Sequence, residues 1–143
     1  MKTKVAAIYG KQDVRIREFE LPEINDNELL VSVISDSVCL STWKAAKLGS
    51  EHKRVPDDLE NHPVITGHEC AGVIVEVGKN LADKYKKGQH FVLQPAMELP
   101  SGYSAGYSYE YFGGNATYMI IPEVAINLGC VLPYHGSYFA AAS

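Results

Sequence analysis

Residues 63–78 read PVITGHECAGVIVEVG, and this stretch is the most informative part of the sequence about the fold. Residues 73–77 carry apolar side chains at alternate positions, which is typical of a β-strand with one buried face. Gly78 ends that strand. Gly67 permits a tight turn directly before a histidine and a glutamate. The stretch therefore predicts a strand that is preceded by a turn presenting two polar side chains.

Short apolar runs that alternate with turn residues continue on both sides of this stretch. The other runs that fit a strand are residues 5–9, 14–19, 29–38, 91–94 and 118–121, with residues 124–128 as a further candidate. Residues 41–48 differ, because they begin with a hydroxyl residue, contain two alanines and stop at Gly49, and they predict a short helix. Residues 52–62 are polar and contain Pro56, which predicts a surface loop. Many short strands with one small helix predict an all-β barrel or sandwich.

Composition limits the function classes. The chain has 143 residues, 46% of them apolar, and a net charge of −4, so it is the size of one globular domain without a basic footprint for nucleic acid. No apolar run approaches the roughly 20 residues of a membrane span, and the amino terminus lacks a secretory apolar core. The three cysteines, Cys39, Cys70 and Cys130, are an odd number that suits a reducing compartment. We therefore expect a cytoplasmic protein with no nucleic-acid or membrane partner.

Residues 97–114 form a segment rich in tyrosine and glycine. Its tyrosines are Tyr103, Tyr107, Tyr109 and Tyr111. One interpretation is a loop whose rings lie on the surface or pack beneath it. The other is a wall of a ligand pocket, because tyrosine offers an apolar body with a polar tip. The residues alone leave both interpretations open.

The sequence has no Gly-x-Gly-x-x-Gly after any predicted strand and no Walker loop. We therefore identify no cofactor-binding residue for a nucleotide in this chain.

Residues of the kind that bind metals fall into two short clusters, around Cys39 and around His68-Glu69. A thiolate, an imidazole and a carboxylate are a ligand set for a catalytic zinc, because sulfur and nitrogen suit zinc better than they suit hard cations. Cys39 would precede a helix, whose amino end favours the thiolate. By spacing alone, a buried packing cysteine and an ordinary surface or core histidine remain the alternatives.

Several segments together resemble the zinc-dependent medium-chain dehydrogenase/reductase superfamily, and specifically its amino-terminal, GroES-like catalytic domain. In chain order, the matching segments are Val14-Arg15-Ile16, Leu21-Pro22, Cys39-Leu40-Ser41-Thr42-Trp43, residues 63–78, Gly88-Gln89-His90-Phe91-Val92 and Gly114-Asn115-Ala116-Thr117-Tyr118. The Gly-His-Glu block is the most specific of them. Within the superfamily the chain is similar to sorbitol dehydrogenase-like enzymes and, closer still, to L-sorbose 1-phosphate reductases.

The resemblance implies a mainly β fold: a GroES-like, partly open β-barrel with one or two short helices. It implies that residues 1–143 are the catalytic domain of a longer enzyme whose nucleotide-binding Rossmann domain is missing here. The whole enzyme would interconvert a ketose or its phosphate with a polyol or its phosphate. Its partners would be this small sugar substrate, NAD(P)H bound through the missing domain, and further copies of itself in a homo-oligomer. The isolated chain would be inactive.

The resemblance also implies roles for single residues. One catalytic zinc would be held by Cys39 and His68, with Glu69 either as third ligand or as a group that supports the ligands. Ser41 would be the catalytic hydroxyl that takes the alcohol proton, while its structural alternative is a helix N-cap. The four-cysteine lobe that holds a second zinc in many relatives is absent, and we read Cys70 as a small buried apolar residue.

Two departures from the family pattern concern the same short segment. Thr42 stands where relatives usually have an aspartate that orients the zinc-bound histidine, and Lys44 stands where many have a relay histidine. Lys44 begins a group of cations that would attract a phosphate: Lys44, Lys47, His52, Lys53 and Arg54. Acidic residues lie among them and favour a solvated loop instead: Glu51, Asp57, Asp58 and Glu60.

A second class of function stays open beside the enzyme. The chain would then be a non-enzymatic GroES-like binding module or a zinc-free quinone reductase-type relative. The pair of Cys39 and His68 argues against it, because zinc-free members of the family lack such ligands.

Overall fold

The computed structural model describes residues 1–94, 104–107 and 111–138. The strands are β1 (Lys2–Gly10), β2 (Asp13–Glu20), β3 (Leu29–Asp36), β4 (Val64–Ile65), β5 (Cys70–Val77), β6 (His90–Leu93), β7 (Tyr118–Ile121) and β8 (Val131–Pro133). The α-helices are α1 (Leu40–Leu48) and α2 (Glu123–Asn127), and single 3-10 turns span Gly49–Glu51 and Lys79–Leu81. None of the helices in the described ranges is long and apolar enough to cross a membrane.

The strands form two antiparallel sheets. The first has the order β2-β1-β4 and the second has the order β7-β3-β5-β6-β8. A bridge between Val5 and Ala116 joins β1 to the segment before β7, and Thr117 N–H donates to the Lys4 carbonyl at 3.0 Å. The sheets meet along this line without closing into a full barrel among the described residues. The prediction of a mainly β, partly open barrel with short helices is confirmed.

The largest apolar core lies behind the second sheet. It consists of aliphatic and aromatic side chains from all its strands together with α2, among them Leu29, Ile74, Phe91, Met119 and Ile126. Both Cys70 and Cys130 belong to this cluster and are buried, and burial raises the pKa of both thiols. The reading of Cys70 as a small buried apolar residue is therefore confirmed.

A second apolar cluster lies under α1. Ala45 from this helix packs with Val55 and Leu59 of the loop that follows, and with Tyr107. The predicted surface loop at residues 52–62 is thus anchored from below by two buried side chains. Its polar residues stay on the outside, close to the end of α1.

Some predicted elements differ from the structure. Residues 124–128 were expected as a strand, but they lie in α2 and its C-cap. Pro122 stands at the N-cap of that helix and Glu123 opens its first turn, where a negative charge is favoured. A run of five apolar and polar residues does not distinguish the two periods, so the strand prediction was wrong. The sequence analysis missed β4 and β8, which have only two and three residues.

Gly72 allows β3 and β5 to approach each other closely. A Cβ atom at this position would lie 2.0 Å from the Ser32 carbonyl oxygen of the neighbouring strand. The backbone fixes the positions of this Cβ atom and of the Ser32 carbonyl oxygen, so neither can move aside without distorting the sheet. The second sheet therefore requires glycine at residue 72.

We expect Gly72→Ala to lower the free energy of unfolding by about 1–3 kcal/mol, the usual cost of overpacking a fixed site. Gly10→Ala is the matched control, since the nearest atom to its Cβ would be 4.0 Å away. The control should change stability by no more than about 0.5 kcal/mol. Urea unfolding of the two variants and the wild type measures both values. Equal stability of the two variants would contradict the close approach.

Candidate functional site

Cys39 lies where β3 gives way to α1. The strand ends at Asp36, and Ser37 N–H donates to the Glu69 carbonyl at 3.1 Å, which ties this connection to the start of β5. Cys39 itself is the N-cap of α1, with φ −96° and ψ 144°. Its carbonyl accepts the N–H of Thr42 at 3.0 Å. The thiol is therefore held at the positive end of a helix, as the sequence predicted.

Ser41 is not the N-cap. The helix begins at Leu40, one residue earlier than predicted, so Ser41 already belongs to the first turn. Its Oγ lies 2.8 Å from Sγ of Cys39 and 3.3 Å from Nε2 of His68. The structural alternative for this residue is thus wrong, and the hydroxyl faces the two candidate ligands instead.

The turn at Gly67 presents His68 and Glu69 to the same place. Gly67 has φ +92°, and a Cβ there would lie 2.3 Å from Oδ2 of Asp36 and 2.5 Å from the backbone nitrogen of Asn115. This left-handed, fully packed position requires glycine. The turn links β4 in the first sheet to β5 in the second.

Asp36 fixes this turn from behind. Its Oδ1 accepts the backbone N–H of Glu69 at 3.0 Å, and its Oδ2 accepts a short hydrogen bond from Nδ2 of Asn115. The amide oxygen of Asn115 in turn accepts the hydroxyl of Thr66 at 2.8 Å. Burial raises the pKa of Asp36 to about 6; the N–H of Glu69 opposes this shift, and the Glu69 carboxylate adds to it.

The sequence analysis did not identify this network. The available signal was an aspartate near the end of the predicted strand at residues 29–38, because a carboxylate among apolar residues needs partners. The partners themselves lie 33 and 79 residues away in sequence.

Three donor atoms of different chemistry come together beside the network. The Sγ atom of Cys39, a ring nitrogen of His68 and a carboxylate oxygen of Glu69 all lie within 4.8 Å of one another. Nε2 of His68 is 4.0 Å from Oε1 of Glu69, while the other carboxylate oxygen accepts the hydroxyl of Ser37 at 2.5 Å. The structure thus brings together all three residues that the sequence analysis named.

His68 is held in its neutral form. The residue is only 9% exposed, and burial lowers the pKa of its imidazole. The Glu69 carboxylate opposes that shift, and the positive charge of Arg54 reinforces it. A neutral imidazole keeps a lone pair, which is the form that binds a metal ion. Sulfur, nitrogen and oxygen donors at these distances fit a zinc ion with an open position.

The ring of Tyr107 stacks on the ring of His68. The two ring centroids are 5.6 Å apart, and His52 also stacks on Tyr107, with centroids 5.3 Å apart. The guanidinium carbon of Arg54 lies 5.6 Å from the centre of the tyrosine ring. We call these rings the His52–Tyr107–His68 stack.

Tyr107 fits both interpretations of the tyrosine-rich segment, because it packs in the apolar cluster under α1 and its ring lies against a candidate ligand. Tyr107 is buried and forms a wall beside the candidate ligands. Tyr111 is partly buried and borders a separate cavity of about 190 Å³ with Phe19, Asn61 and Pro63. Tyr103 and Tyr109 lie outside the described residues.

The predicted cation group needs one correction. Lys47 turns away from the others, and its Nζ lies 4.8 Å from the centre of the Trp43 ring. Burial lowers the pKa of His52, and the positive charges of Lys44, Arg54 and Lys53 lower it further. Lys44, Lys53 and Arg54 therefore act electrostatically on His52, whereas Lys47 contacts Trp43.

Comparison with known proteins finds one matching family model and several relatives. Residues 25–129 match the family model of the alcohol dehydrogenase GroES-like domain. The chain is 93% identical over 143 residues to the protein YggP of Escherichia coli (strain K12). This match covers all of this chain and 34% of that protein. It is 68% identical over 142 residues to mannitol-1-phosphate 5-dehydrogenase of Aliivibrio fischeri (strain ATCC 700601 / ES114), a match that covers 99% of this chain and 34% of the relative.

L-sorbose 1-phosphate reductase of Klebsiella pneumoniae is 42% identical over 135 residues, which are 94% of this chain and 33% of that enzyme. Among solved structures, 2R,3R-butanediol dehydrogenase from Bacillus subtilis superimposes with a TM-score of 0.76 and 25% identity, covering 98% of this chain and 43% of that one.

The chain spans about a third of the length of the curated relatives it matches. The family model, in contrast, covers 105 of the 143 residues, counted from the matched range 25–129. The matched range contains all three candidate ligands and the whole of β3, α1 and β5. The chain belongs to the family of alcohol dehydrogenase GroES-like domains.

Proposed function

We propose that this chain is the catalytic domain of a longer, zinc-dependent oxidoreductase that interconverts a polyol phosphate and a ketose phosphate with NAD(P). The observation that carries the proposal is the meeting of Cys39, His68 and Glu69 within 4.8 Å, with the hydroxyl of Ser41 against two of them. Relatives named as a mannitol-1-phosphate dehydrogenase and a sorbose 1-phosphate reductase support the substrate class. The higher identity of the first favours mannitol 1-phosphate and its ketose partner over the sorbose phosphate to which the sequence resemblance pointed.

Cys39, His68 and Glu69 would hold one zinc ion. Zinc bound there would polarise the oxygen of the substrate and stabilise the charge that develops on it during hydride transfer. Three features of the fold suit these side chains to bind a metal ion. Cys39 lies at the amino end of α1, burial lowers the pKa of His68 and keeps it neutral, and Ser37 fixes one oxygen of Glu69 so that the other faces His68.

Ser41 would transfer the hydroxyl proton of the substrate. When the alcohol is oxidised, its carbon loses a hydride to the nicotinamide and its hydroxyl loses a proton. The hydroxyl of Ser41 can accept that proton while it passes its own towards solvent, because the side chain is only partly buried. In the reverse direction the same hydroxyl donates.

The nucleotide would be held by the remainder of the longer enzyme. This chain has no Gly-x-Gly-x-x-Gly sequence to cradle a pyrophosphate, so it contributes the substrate half of the reaction.

The first test concerns metal content. We expect the wild-type chain to bind one zinc ion after metal supplementation, measured by elemental analysis. His68→Ala should lower zinc affinity by more than the roughly 10–100-fold that loss of a supporting residue costs. His135→Ala is the control, because this histidine is exposed and far along the chain. Two tightly bound zinc ions, or none, would contradict the ligand assignment, and the absence of zinc would favour the non-enzymatic GroES-like module or zinc-free relative.

A second test concerns the proton. In the full-length enzyme, Ser41→Ala should lower kcat by about 10²–10⁴-fold, since a positioned proton acceptor contributes that much. Zinc content should stay at the wild-type level. Ser41→Thr restores a hydroxyl and should recover part of the rate, and the exposed Ser50→Ala should change neither quantity. An unchanged kcat in Ser41→Ala would remove this residue from the mechanism.

The third test uses the 143-residue chain alone. It should neither reduce a ketose phosphate at the expense of NAD(P)H nor bind either nucleotide tightly, because it lacks the phosphate cradle. Calorimetry with NADH and NADPH, and absorbance at the nicotinamide band, measure the two properties. Steady ketose reduction by this chain would overturn the assignment of the nucleotide site to another domain.

A further inference from the structure

We propose that Asp36 and Ser37 are positioning residues of the candidate metal site and act as one clamp on Glu69. The Asp36–Ser37 clamp would leave one carboxylate oxygen of Glu69 free to bind the ion and would keep the other oxygen bonded to the protein. This inference rests on the proposed function, because it takes Glu69 as a ligand of the bound zinc ion. It adds two residues that are not ligands and gives them a measurable effect on metal binding.

The clamp contacts both the backbone and the side chain of Glu69. Oδ1 of Asp36 accepts the backbone N–H of Glu69 at 3.0 Å, and the backbone N–H of Ser37 donates to the Glu69 carbonyl at 3.1 Å. The hydroxyl of Ser37 donates to Oε2 of the Glu69 carboxylate at 2.5 Å. The other carboxylate oxygen, Oε1, lies 4.0 Å from Nε2 of His68. Two consecutive residues therefore fix Glu69 so that Oε1 is the oxygen that faces the neighbouring candidate ligand.

Strand pairing alone does not account for the two side-chain hydrogen bonds. The ladder between β3 and β5 ends with Asp36 opposite Cys70, and the Ser37 N–H continues it through backbone groups only. The hydroxyl of Ser37 binds a side-chain carboxylate instead, which takes no part in a ladder. A hydrogen bond to a charged acceptor is stronger than one between neutral groups. This bond therefore restrains a side chain of the ligand cluster rather than the sheet.

Two glycines make room for the Asp36 carboxylate. A Cβ at Gly67 would lie 2.3 Å from its Oδ2, and a Cβ at Gly114 would lie 2.7 Å from its Oδ1. Oδ2 also accepts a short hydrogen bond from Nδ2 of Asn115. A carboxylate that is taken out of water costs free energy unless such bonds offset the loss. The fold thus keeps a costly group in a slot shaped for it, directly behind the turn that carries two candidate ligands.

The clamp also determines where Cys39 lies relative to Glu69. Ser37 is two residues before Cys39 in the short connection between β3 and α1. Three hydrogen bonds bind the start of this connection to Glu69, and Cys39 caps α1 at its end. The Sγ atom of Cys39 and a carboxylate oxygen of Glu69 lie within 4.8 Å of each other. A metal ion that uses both donors would therefore bind more weakly when the clamp is broken.

The experiment uses the full-length enzyme and first removes one hydroxyl. Ser37→Ala should lower zinc affinity by about 10–100-fold, the usual cost of losing a group that orients a ligand. Competition with a chelator measures this affinity, and the visible spectrum of the cobalt-substituted enzyme reports the coordination of the ion. The spectrum should differ from that of the wild type, because both carboxylate oxygens of Glu69 then become available to the ion. Ser37→Thr keeps the hydroxyl and should restore most of both properties.

Ser35→Ala is the matched control. Ser35 lies two residues earlier, is also partly buried, and its hydroxyl donates to the Tyr138 carbonyl at 2.6 Å. Both alanine variants lose one side-chain hydrogen bond, so urea unfolding should show a similar loss of stability for the two. Only Ser37→Ala should change zinc affinity and the cobalt spectrum. This comparison separates a positioning role from a general loss of stability.

Variants of Asp36 test whether the clamp acts through hydrogen bonds or through charge. Asp36→Ala removes both acceptors and should lower zinc affinity at least as much as the serine variant does. In Asp36→Asn, the amide oxygen can accept the N–H of Glu69, and the amide nitrogen can donate to Asn115 once that side-chain amide turns over. Thr66 tolerates this turn, because its hydroxyl also donates to a backbone carbonyl at 3.0 Å and can accept from Asn115. Asp36→Asn should therefore keep zinc affinity close to that of the wild type.

The contrary results also separate this inference from the proposed function. Wild-type zinc affinity and an unchanged cobalt spectrum in Ser37→Ala would overturn the clamp alone, if His68→Ala still loses zinc. Equal changes in Ser35→Ala and Ser37→Ala would reduce the effect to stability and would overturn it too. A loss in Asp36→Asn as large as that in Asp36→Ala would reject positioning by Asp36 in favour of its charge. If Asp36→Ala does not fold, the serine variants decide. A wild-type enzyme that binds neither zinc nor cobalt would overturn the proposed function and this inference with it.

Discussion

Gly67 packs against the side chain of Asp36 and the backbone of Asn115, and the candidate site depends on that contact. A Cβ at Gly67 would lie 2.3 Å from Oδ2 of Asp36. The turn leaves the first sheet after β4 and enters the second at β5, so the contact also joins the two sheets. His68 and Glu69 follow directly, and the N–H of Glu69 donates to Asp36. The position of two candidate ligands is therefore determined by a backbone conformation that only glycine adopts easily.

This arrangement buries polar groups where water cannot form hydrogen bonds with them. A buried carboxylate costs free energy unless hydrogen bonds offset the loss of solvent. Asp36 accepts two such bonds, yet burial still raises its pKa to about 6. His68 meets the same cost by remaining neutral, which suits a metal ligand. The fold thus gives up some stability at the site, and the dense apolar core behind the second sheet compensates elsewhere.

Tyr107 connects the site with the charged surface beyond it. Its ring contacts both His68 and His52, and the guanidinium of Arg54 lies 5.6 Å from its centre. Because Tyr107 packs on the loop after α1, the same apolar cluster positions the loop that carries His52 and Arg54. One buried aromatic side chain therefore contacts a candidate ligand and helps position the loop that carries the cations.

Local patterns were sufficient for most strands and for the helix at α1. Alternating apolar residues and turn glycines are properties of neighbouring positions, and they predicted β1, β2, β3, β5, β6 and β7 to within a few residues at their ends. They did not predict β4 and β8, because strands of two and three residues are too short to show the alternation. They also misassigned α2, because five residues fit either period. The Gly-His-Glu block and Cys39 came from resemblance to a family, since their spacing in sequence carries little information alone.

The sequence by itself determined the mainly β fold, the absence of a nucleotide cradle in these residues, and the three residues with zinc-ligand chemistry. Only the tertiary structure decided that Cys39, rather than Ser41, caps α1 and that Lys47 leaves the cation group. It also decided that His52, His68 and Tyr107 stack. The physical reason is that hydrophobic periodicity reports which face of an element is buried. Contacts between rings and charges from separate elements depend instead on how the sheets, the helix and the loops pack together.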